Sequence, residues 1–322
     1  MVKIKNILRF TCNFEGGFTR SNQQWEDPGS EIRNTGDRRP ATRTAMTSKK
    51  KIFLFGEKKL DLSTPVVMGI LNLTPDSFYD GGHFQTETEQ MLQAEKMISE
   101  GASILDIGAV STRPGTEPVD EKEELRRLTP ALRAVIRNFP DCLISVDTFR
   151  TSVARTALDY GADMINDIYA GRFDGKMIGL VTSRNVPYSM MHMQGTPGTM
   201  QENPAYGDVV SEILEFFRER LEHFPEKYPK IFLDPGFGFG KTVEHNFTLL
   251  GRLSEFRKLG YPVLAGLSRK SMINQVLRTY PHQALNGTTV LNTIALLNGA
   301  DVLRVHDVKQ AMEAIQLVAH LR

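Results

Sequence analysis

Polar side chains follow directly after several short apolar segments of this chain. Asp147, Asn166 and Asp234 each stand at such a position. Two carboxylates and one amide make a set of hydrogen-bond acceptors, and this set suits a flat heterocycle with amidine-like N–H donors, such as a pterin or guanine edge. The three residues therefore predict a binding site for a polar ring.

A second group of residues after later apolar segments carries positive charge. Lys270, Arg304 and His306 form this set, and cations of this kind suit a phosphorylated ligand. Ser271 is predicted at the start of a helix, where free N–H groups and the helix dipole favour an anion. The sequence thus predicts one site that binds a neutral ring on one side and negative charge on the other.

Structural roles compete with the functional ones for single residues. Asp106 and Asp167 could hold loops in place, Asp147 could cap a helix, and His192 could be a buried core histidine. A structural role is harder to accept for the set as a whole. Each of the eight apolar segments is followed by a polar group, and burying several charges together without a ligand is costly. The pattern as a whole favours an active site.

Two motifs that suggest other chemistry fail on their spacing. The run Gly236–Thr242 resembles a phosphate-binding P-loop, but the first glycine of that motif would fall on Pro235. The same glycines also miss the dinucleotide-binding spacing. The seven histidines include no His-x-x-x-His pair, so we expect no structural zinc. A Mg²⁺ held largely by a diphosphate and one protein oxygen is compatible with the sequence.

Short β-branched or apolar runs alternate with amphipathic stretches from Val66 onward, eight times in all. This pattern predicts an α/β protein with a single (β/α)₈ TIM barrel, whose active site forms at the carboxyl ends of the strands. A doubly wound open sheet is the alternative and would need fewer strands or a second domain. Residues 51–62 are predicted to form a short hairpin, turning at Gly56, that closes the barrel bottom. The first helix is predicted to bury Leu92, Ala94, Met97 and Ile98. The predicted strands are Val66–Leu71, Ser103–Ile107, Cys142–Val146, Asp163–Ile165, Val186–Met191, Ile231–Leu233, Val263–Leu267 and Val302–Val305.

Composition excludes several classes of protein. The 322 residues contain 39 Lys and Arg against 38 Asp and Glu, a net charge of +1, so binding to nucleic acid or to a membrane surface has no electrostatic support. No apolar stretch reaches the length of about 18 residues that a membrane-spanning helix needs. Two cysteines cannot build a disulfide framework, so we expect a cytoplasmic protein.

Residues 1–50 differ from the rest of the chain. They carry ten Lys and Arg against five Asp and Glu, whereas residues 51–322 carry 29 against 33. We interpret residues 1–50 as a disordered basic arm or as a start-site artefact with translation beginning at Met46, and residues 51–322 as the barrel. A targeting segment is the alternative, which the early acidic residues and the missing cleavage pattern disfavour.

Nine motifs of residues 50–322 together resemble the dihydropteroate synthases, a pterin-binding TIM-barrel family of folate biosynthesis that sulfonamides target. One motif departs from that family: Ala109-Val110 stands where the family commonly has Gly-Glu, which bears on loop geometry and sulfonamide response. The motifs are Met68–Phe78, Asp106–Gly108, Ser111–Gly115, Ser145–Thr148, Asn166–Ile168, Met191–Met193, Asp234–Phe239, Ser268–Ser271 and Arg304–Asp307.

The resemblance implies a transferase that joins 6-hydroxymethyl-7,8-dihydropterin diphosphate to 4-aminobenzoate, with Mg²⁺ as cofactor and a homodimer as the assembly. It implies pterin binding by Asp147, Asn166, Met193, Asp234, Phe239 and Lys270. It implies diphosphate binding by Asn72, Thr112, Arg304 and His306, with Asn72 as the metal ligand. It implies aminobenzoate binding by Arg113, Pro114, Lys270 and Ser271, and a mobile first loop that contains Asp80. Of these residues, Asp147, Asp234, Lys270, Arg304 and His306 are expected to be catalytic.

Two other functions stay open on the sequence. A pterin-binding methyltransferase barrel would share the acceptor residues but has no use for Ser268–Ser271 or Arg304–His306. An inactive pterin-binding paralogue would be expected to lack Asp234, Lys270 or Arg304, and all three are present.

Overall fold

The computed structural model describes residues 52–74, 87–111, 119–226 and 228–321. Its first element is an antiparallel hairpin of strands β1 (Ile52–Phe55) and β2 (Lys58–Asp61), with Gly56 in the turn. The hairpin predicted from the sequence is therefore confirmed. The prediction for residues 1–50 falls outside the described residues, and the domain boundary at residue 51 stays a prediction.

Eight parallel strands form the centre of the described structure. Nearly every residue of these strands is buried, because helices cover the outside and side chains fill the inside, and this explains why the strands read as continuous apolar runs. All eight predicted strands match to within two residues at each end. The strands are β3 (Val66–Asn72), β4 (Ile104–Gly108), β5 (Leu143–Asp147), β6 (Met164–Asp167), β7 (Tyr188–Met191), β8 (Ile231–Asp234), β9 (Leu264–Ala265) and β10 (Val302–Val305).

The order of the strands is β8-β7-β6-β5-β4-β3-β10-β9. A parallel bridge between Leu233 of β8 and Val263, the residue before β9, joins the two ends of this order. The sheet therefore closes on itself as a barrel. The (β/α)₈ prediction is confirmed, and the open-sheet alternative is wrong.

A helix follows each barrel strand, and one additional helix lies between β9 and β10. The buried stripe of the first helix contains Ala94 and Met97, but Leu92 is 59% exposed, so its predicted burial is wrong. Leu92 precedes Ala94 by only two residues, which puts it on another face of the helix. The helices are α1 (Glu87–Ser99), α2 (Glu121–Asn138), α3 (Thr151–Asp159), α4 (Met177–Ser183), α5 (Val209–Leu221), α6 (Val243–Gly251), α7 (Ser271–Leu277), α8 (Leu285–Leu297) and α9 (Val308–Ala319).

The hairpin covers the amino-terminal end of the barrel. Phe55, Leu60 and Leu62 are buried in one apolar cluster with Met68 and Phe232 from the strands. The opposite end, where the strands finish, is thus the end that can admit a ligand. Within the described residues, no helix has the length and apolar character needed to cross a membrane.

Candidate active site

The ends of the barrel strands bring the predicted acceptor residues to one mouth. Asp147 is the last residue of β5, and it lies in register with Asn166 of β6 on one side and with Gly108 of β4 on the other. Asp234 is the last residue of β8. Because the strands are parallel, these carboxyl ends share the face on which TIM-barrel enzymes build their sites.

Arg304 of β10 reaches across the barrel to two carboxylates. Its Nε donates to Asp106 Oδ2 at 2.6 Å and its Nη2 donates to Asp147 Oδ2 at 2.7 Å. Asn166 Nδ2 donates to the same oxygen of Asp106 at 3.0 Å. Asp106, for which a loop-holding role was open, is therefore the central acceptor of a network that joins β4, β5, β6 and β10.

The charges of this network perturb each other. Burial raises the pKa of Asp147 to about 7, against the attraction of Arg304 and with added repulsion from Asp106. Burial alone would lower the pKa of Arg304, but the carboxylates of Asp106 and Asp147 outweigh it and raise that pKa above its ordinary value. Arg304 therefore stays charged, while burial moves the pKa of Asp147 toward neutral pH.

Asp234, Phe239 and Lys270 form the opposite wall of a pocket in the mouth. Lys270 Nζ lies 4.2 Å from the ring centroid of Phe239, a cation–π distance. Burial lowers the pKa of Lys270 to about 8, with Asp234 opposing the shift, and burial raises the pKa of Asp234. The pocket is lined by Asp147, Asn166, Ile168, Met191, Asp234, Phe237, Phe239, Gly266, Lys270 and Arg304.

Met193, predicted beside the ligand ring, does not line this pocket. It is 1% exposed and packs in an apolar cluster with Phe149, Met191 and Met200, behind the half-buried Phe239. Met191 lines the pocket instead, and sequence reasoning missed it. The position of Met191 in the strand could have identified it, because Met191 is the last residue of β7 and pairs with Asp234 of β8.

His306 lies just beyond β10 and contacts Ser268. Its backbone N–H donates to Ser268 Oγ at 3.3 Å, and its Nδ1 lies 3.0 Å from the same oxygen. Burial, with the charge of Arg304, lowers the pKa of His306 to about 3. This shift favours the neutral imidazole in the unliganded site, where Lys270 and Arg304 carry the positive charge, and a cationic role of His306 toward the substrate stays a prediction.

An ion pair fixes the turn that carries Lys270. Arg269 donates from Nε and Nη2 to the two carboxylate oxygens of Asp307, at 3.0 and 2.8 Å. Arg269 N also donates to Thr288 Oγ1 of α8. This pair ties the turn after β9 to the turn after β10, so Lys270 and His306 hold a fixed relative position. Ser271 is exposed at the start of α7.

Asn72 ends β3 and lies in register with Gly108. A Cβ atom placed on Gly108 would lie 3.8 Å from Asn72 Oδ1 and 3.5 Å from Asp147 Cβ, so the amide of Asn72 faces the same mouth. The described residues contain no group of three His, Cys, Asp or Glu side chains that could hold a metal. One amide oxygen fits an ion bound mainly through substrate oxygens.

Four predicted site residues lie outside the described part of the chain: Asp80, Thr112, Arg113 and Pro114. Their roles stay predictions.

Comparison with known proteins identifies the family. A family model for pterin binding enzymes matches residues 68–306, the span from β3 to His306. The dihydropteroate synthase of Escherichia coli K12 is 45% identical over 271 residues, covering 83% of this chain and 95% of that protein. The dihydropteroate synthase of Haemophilus influenzae is 47% identical over 263 residues, covering 81% and 95%. The chain belongs to the dihydropteroate synthases.

Solved structures of dihydropteroate synthases share the barrel. The Yersinia pestis enzyme, in complex with a sulfonamide drug, superimposes with a TM-score of 0.80 at 41% identity, covering 84% of this chain and 99% of that one. The Xanthomonas albilineans enzyme, with 4-aminobenzoic acid, gives 0.78 at 39% identity, covering 85% and 98%. This family makes the chain a pterin-binding transferase of folate synthesis.

The departure from the dihydropteroate synthase pattern at Ala109-Val110 has a packing explanation. Ala109 is buried in the main core, and half-buried Val110 packs against the cluster of Phe149, Ile168 and Met200. An apolar side chain at position 110 extends this cluster, whereas a glutamate there would place a charge against it.

Proposed function

We propose that the chain condenses 6-hydroxymethyl-7,8-dihydropterin diphosphate with 4-aminobenzoate. The bond between the pterin methylene carbon and the diphosphate oxygen breaks, and a bond from that carbon to the aniline nitrogen forms. The nitrogen loses a proton, and the products are 7,8-dihydropteroate and diphosphate. The observation that carries the proposal is the pocket between the Arg304 network and the pair of Asp234 and Lys270.

The acceptors of the pocket bind the pterin ring in this proposal. Asp234 Oδ1 accepts from the backbone N–H of Gly236 at 2.8 Å, which fixes the carboxylate and leaves Oδ2 beside the pocket-lining Gly266. Asn166 and Asp147 line the other side. These oxygens match the N–H groups of a pterin edge, and Phe239 supplies an apolar surface for the ring face.

Arg304 can bind the diphosphate without leaving its carboxylates. A guanidinium has five N–H donors in a planar fork, and the contacts to Asp106 and Asp147 use Nε and Nη2. The Nη1 donors then serve a phosphate oxygen. His306 and Thr112 are proposed to assist.

The divalent metal of the reaction is proposed to be Mg²⁺, held by Asn72 together with diphosphate oxygens. When bound, it neutralises negative charge on the leaving group. Asn72 supplies a neutral oxygen beside Asp147, which matches the preference of Mg²⁺ for oxygen ligands.

Lys270 and Ser271, with Arg113 and Pro114, are proposed to bind 4-aminobenzoate. In this proposal the Lys270 ammonium, on the turn Ser268–Ser271, lies between the two substrates. Lys270 lies over the ring of Phe239, which is proposed for the pterin side, and Ser271 is exposed. The X. albilineans relative was solved with 4-aminobenzoic acid.

The chemistry needs no enzyme nucleophile in this proposal. Diphosphate departs from an activated methylene, the pterin ring spreads the positive charge, and the weakly basic amine attacks the carbon. Asp147 and Asp234 lie beside the ring and stabilise the positive charge that develops there, while Arg304 stabilises the charge on the leaving diphosphate. Both stabilising groups are already oriented by hydrogen bonds within the protein.

We also propose a homodimer through helices on one side of the barrel, in the cytoplasm. Large apolar side chains on and between α7 and α8 are between 49% and 68% exposed, which is a surface that a second copy can cover. They are Val276, Leu277, Tyr280 and Val290, with Leu297 at the end of α8. Light scattering after size exclusion tests the assembly.

A coupled assay tests the reaction. The protein is incubated with the pterin diphosphate and 4-aminobenzoate, with and without Mg²⁺, and both diphosphate and dihydropteroate are quantified. We expect equal amounts of the two products, dependence on both substrates, and loss of turnover on chelation. Pterin binding without diphosphate release would support a binding protein instead.

A further inference from the structure

The loop that looks like a P-loop in the sequence, residues 235–241, encloses its own lysine. Lys241 is 3% exposed. Its Nζ donates to the carbonyl oxygens of Gly236 and Phe239, both at 2.9 Å, and lies 3.1 Å from His192 Nδ1. A longer contact of 3.5 Å joins Nζ to the His192 carbonyl oxygen. An ammonium has three N–H donors, and the three shorter contacts are enough to use all of them. Lys241 therefore acts inside the loop, not on a phosphate at its surface.

His192 serves as the acceptor for this ammonium. It is 7% exposed, and its ring packs edge-on against Phe216 at 4.9 Å. Burial, with the charges of Lys241 and Arg172, lowers the pKa of His192 to about 2. This shift favours the neutral imidazole, and when the Lys241 ammonium donates to Nδ1 the ring proton is on Nε2. The structure favours the core interpretation of His192 over a role in the mouth.

The backbone of the loop lies in close contact with the residues that follow β7. Gly236 has φ +73, and a Cβ atom there would lie 1.9 Å from the carbonyl oxygen of His192. Gly240 has φ +62, and a Cβ atom there would lie 2.5 Å from the carbonyl oxygen of Gln194. Only glycine fits these two places. Lys241 and His192 thus join two backbone segments that already touch.

The outer side of the same loop forms much of the pocket. Phe237 and Phe239 both line it, and the Gly236 N–H orients Asp234. A Cβ atom on Gly238 would lie 3.2 Å from Lys270 Cδ, so the loop also sets the position of Lys270. The two carbonyls that Lys241 binds belong to Gly236 and Phe239, the residues that orient Asp234 and cover the ring.

Other side chains hold the loop from outside at different atoms, and within the loop the Gly236 carbonyl also accepts from the backbone N–H of Phe239 at 3.1 Å. Gln201 Nε2 donates to the Gly238 carbonyl at 2.7 Å, and the Tyr206 hydroxyl donates to the Gly240 carbonyl at 2.8 Å. Asn246 Oδ1 accepts from the Gly238 N–H at 2.7 Å. Lys241 is therefore the side chain that binds the Phe239 carbonyl, and it shares the Gly236 carbonyl with the backbone N–H of Phe239.

We infer that Lys241 is a positioning residue for the pterin substrate, which holds the loop in the shape that presents Asp234 and Phe239 to the ring. The inference rests on the proposed function. It distinguishes the two substrates, because Lys241 binds directly to the residues of the pterin side, Gly236 and Phe239, and reaches the aminobenzoate side only through the approach of Gly238 to Lys270. Losing Lys241 is expected to weaken pterin binding much more than aminobenzoate binding.

Lys241→Met tests the inference, because it keeps the length of the side chain and removes its charge and donors. Calorimetry with the pterin diphosphate gives its Kd, and steady-state assays give KM for each substrate at saturating levels of the other. We expect Kd and KM for the pterin diphosphate to rise between about tenfold and a hundredfold, the scale of a reacting group displaced by about 1 Å. KM for 4-aminobenzoate should stay within a factor of about two. Lys258→Met, at an exposed lysine, is the matched control and should alter none of these values.

Lys241→Gln, which retains two N–H donors, extends the test if the methionine variant does not fold. A pterin-specific rise in either folded variant supports the inference. Equal rises in both KM values, an unchanged Kd for the pterin diphosphate, or failure of both variants to fold while the control folds would overturn it. A wild-type protein that makes no dihydropteroate would refute the proposed function, and the calorimetric Kd would still decide the role of Lys241 in pterin binding.

Discussion

Arg304 and Asp147 form an ion pair across the mouth of the barrel, with 2.7 Å between Nη2 and Oδ2. This contact joins a cation proposed for the diphosphate to a carboxylate proposed for the pterin ring. The two groups that recognise opposite ends of one substrate therefore orient each other. A substitution of either residue is therefore expected to weaken the binding of both the pterin ring and the diphosphate.

Replacing Arg304 by lysine keeps the charge and removes the fork. A lysine ammonium is a compact charge that cannot hold Asp106 and Asp147 in one plane while it donates to a phosphate. We expect Arg304→Lys, like Arg304→Ala, to lower kcat by at least about 10²-fold, the scale of a lost preorganised contact to the developing charge. Diphosphate release measures the effect, and Arg218→Lys, at an exposed arginine, is the control. Near-normal turnover in Arg304→Lys would show that the reaction does not need the planar guanidinium at position 304.

Asp106→Asn tests the central acceptor of the network. Asp106 is fully buried and its Oδ2 accepts from both Arg304 and Asn166. Without its charge, Arg304 keeps a single carboxylate partner, and removing one member of a buried ion pair costs about 3–5 kcal/mol. We expect a loss of about 3 kcal/mol in the free energy of unfolding, at the lower end because Asp147 remains and Arg304 is 19% exposed.

Urea denaturation measures this loss, with Asp141→Asn at an exposed aspartate as the control. Removing the repulsion from Asp106 should also bring the pKa of Asp147 down from about 7. An Asp106→Asn protein as stable as the control would mean that Asp147 alone satisfies Arg304.

The sequence was sufficient for the barrel and for the acceptors at strand ends, and physical reasons explain both. Asp147, Asn166 and Asp234 follow apolar runs. In a parallel barrel such positions lie at the same end, and this does not depend on the conformations of the side chains. The role of Asp106 was not predictable, because it depends on the direction in which Arg304 extends across the barrel. The burial of His306, which lowers its pKa, likewise depends on neighbours far away in the chain.

Lys241 shows the limit of motif reasoning most clearly. The spacing rule correctly excluded a P-loop at Gly236–Thr242, but it gave the lysine no other role. That role follows from the positive φ values of Gly236 and Gly240, which turn the loop around its own ammonium. A local sequence pattern does not show which way such a loop closes.

Asp234→Asn tests the pterin wall of the pocket. Asparagine preserves the size of the side chain, but its amide group replaces one acceptor oxygen with a donor, which then faces the N–H donors of a pterin edge. We expect turnover to fall by at least about 10²-fold, with a rise in KM for the pterin diphosphate. Steady-state kinetics measure both, and Asp141→Asn again serves as the control. An unchanged KM for the pterin diphosphate would remove Asp234 from the ring site.

The depressed pKa of His192 makes a prediction about stability and pH. In the folded protein this pKa lies at about 2, whereas an unperturbed histidine titrates near pH 6.5. Below pH 6.5 the unfolded chain therefore binds a proton that the folded protein does not, so this histidine costs stability as pH falls. Between pH 7.5 and pH 5 the cost amounts to about 2 kcal/mol.

His192→Asn isolates this contribution, because asparagine offers Lys241 an acceptor and does not titrate. The variant should be less stable than the wild type at pH 7.5, and the difference in free energy of unfolding should narrow by about 2 kcal/mol at pH 5. Lys241, whose pKa burial lowers to about 7, is present in both proteins, so the difference reports on position 192. Urea denaturation at several pH values measures it, with His223→Asn, at an exposed histidine, as the control. A difference that stays constant from pH 7.5 to pH 5 would show that His192 is protonated in the folded protein, and it could then not accept from the Lys241 ammonium.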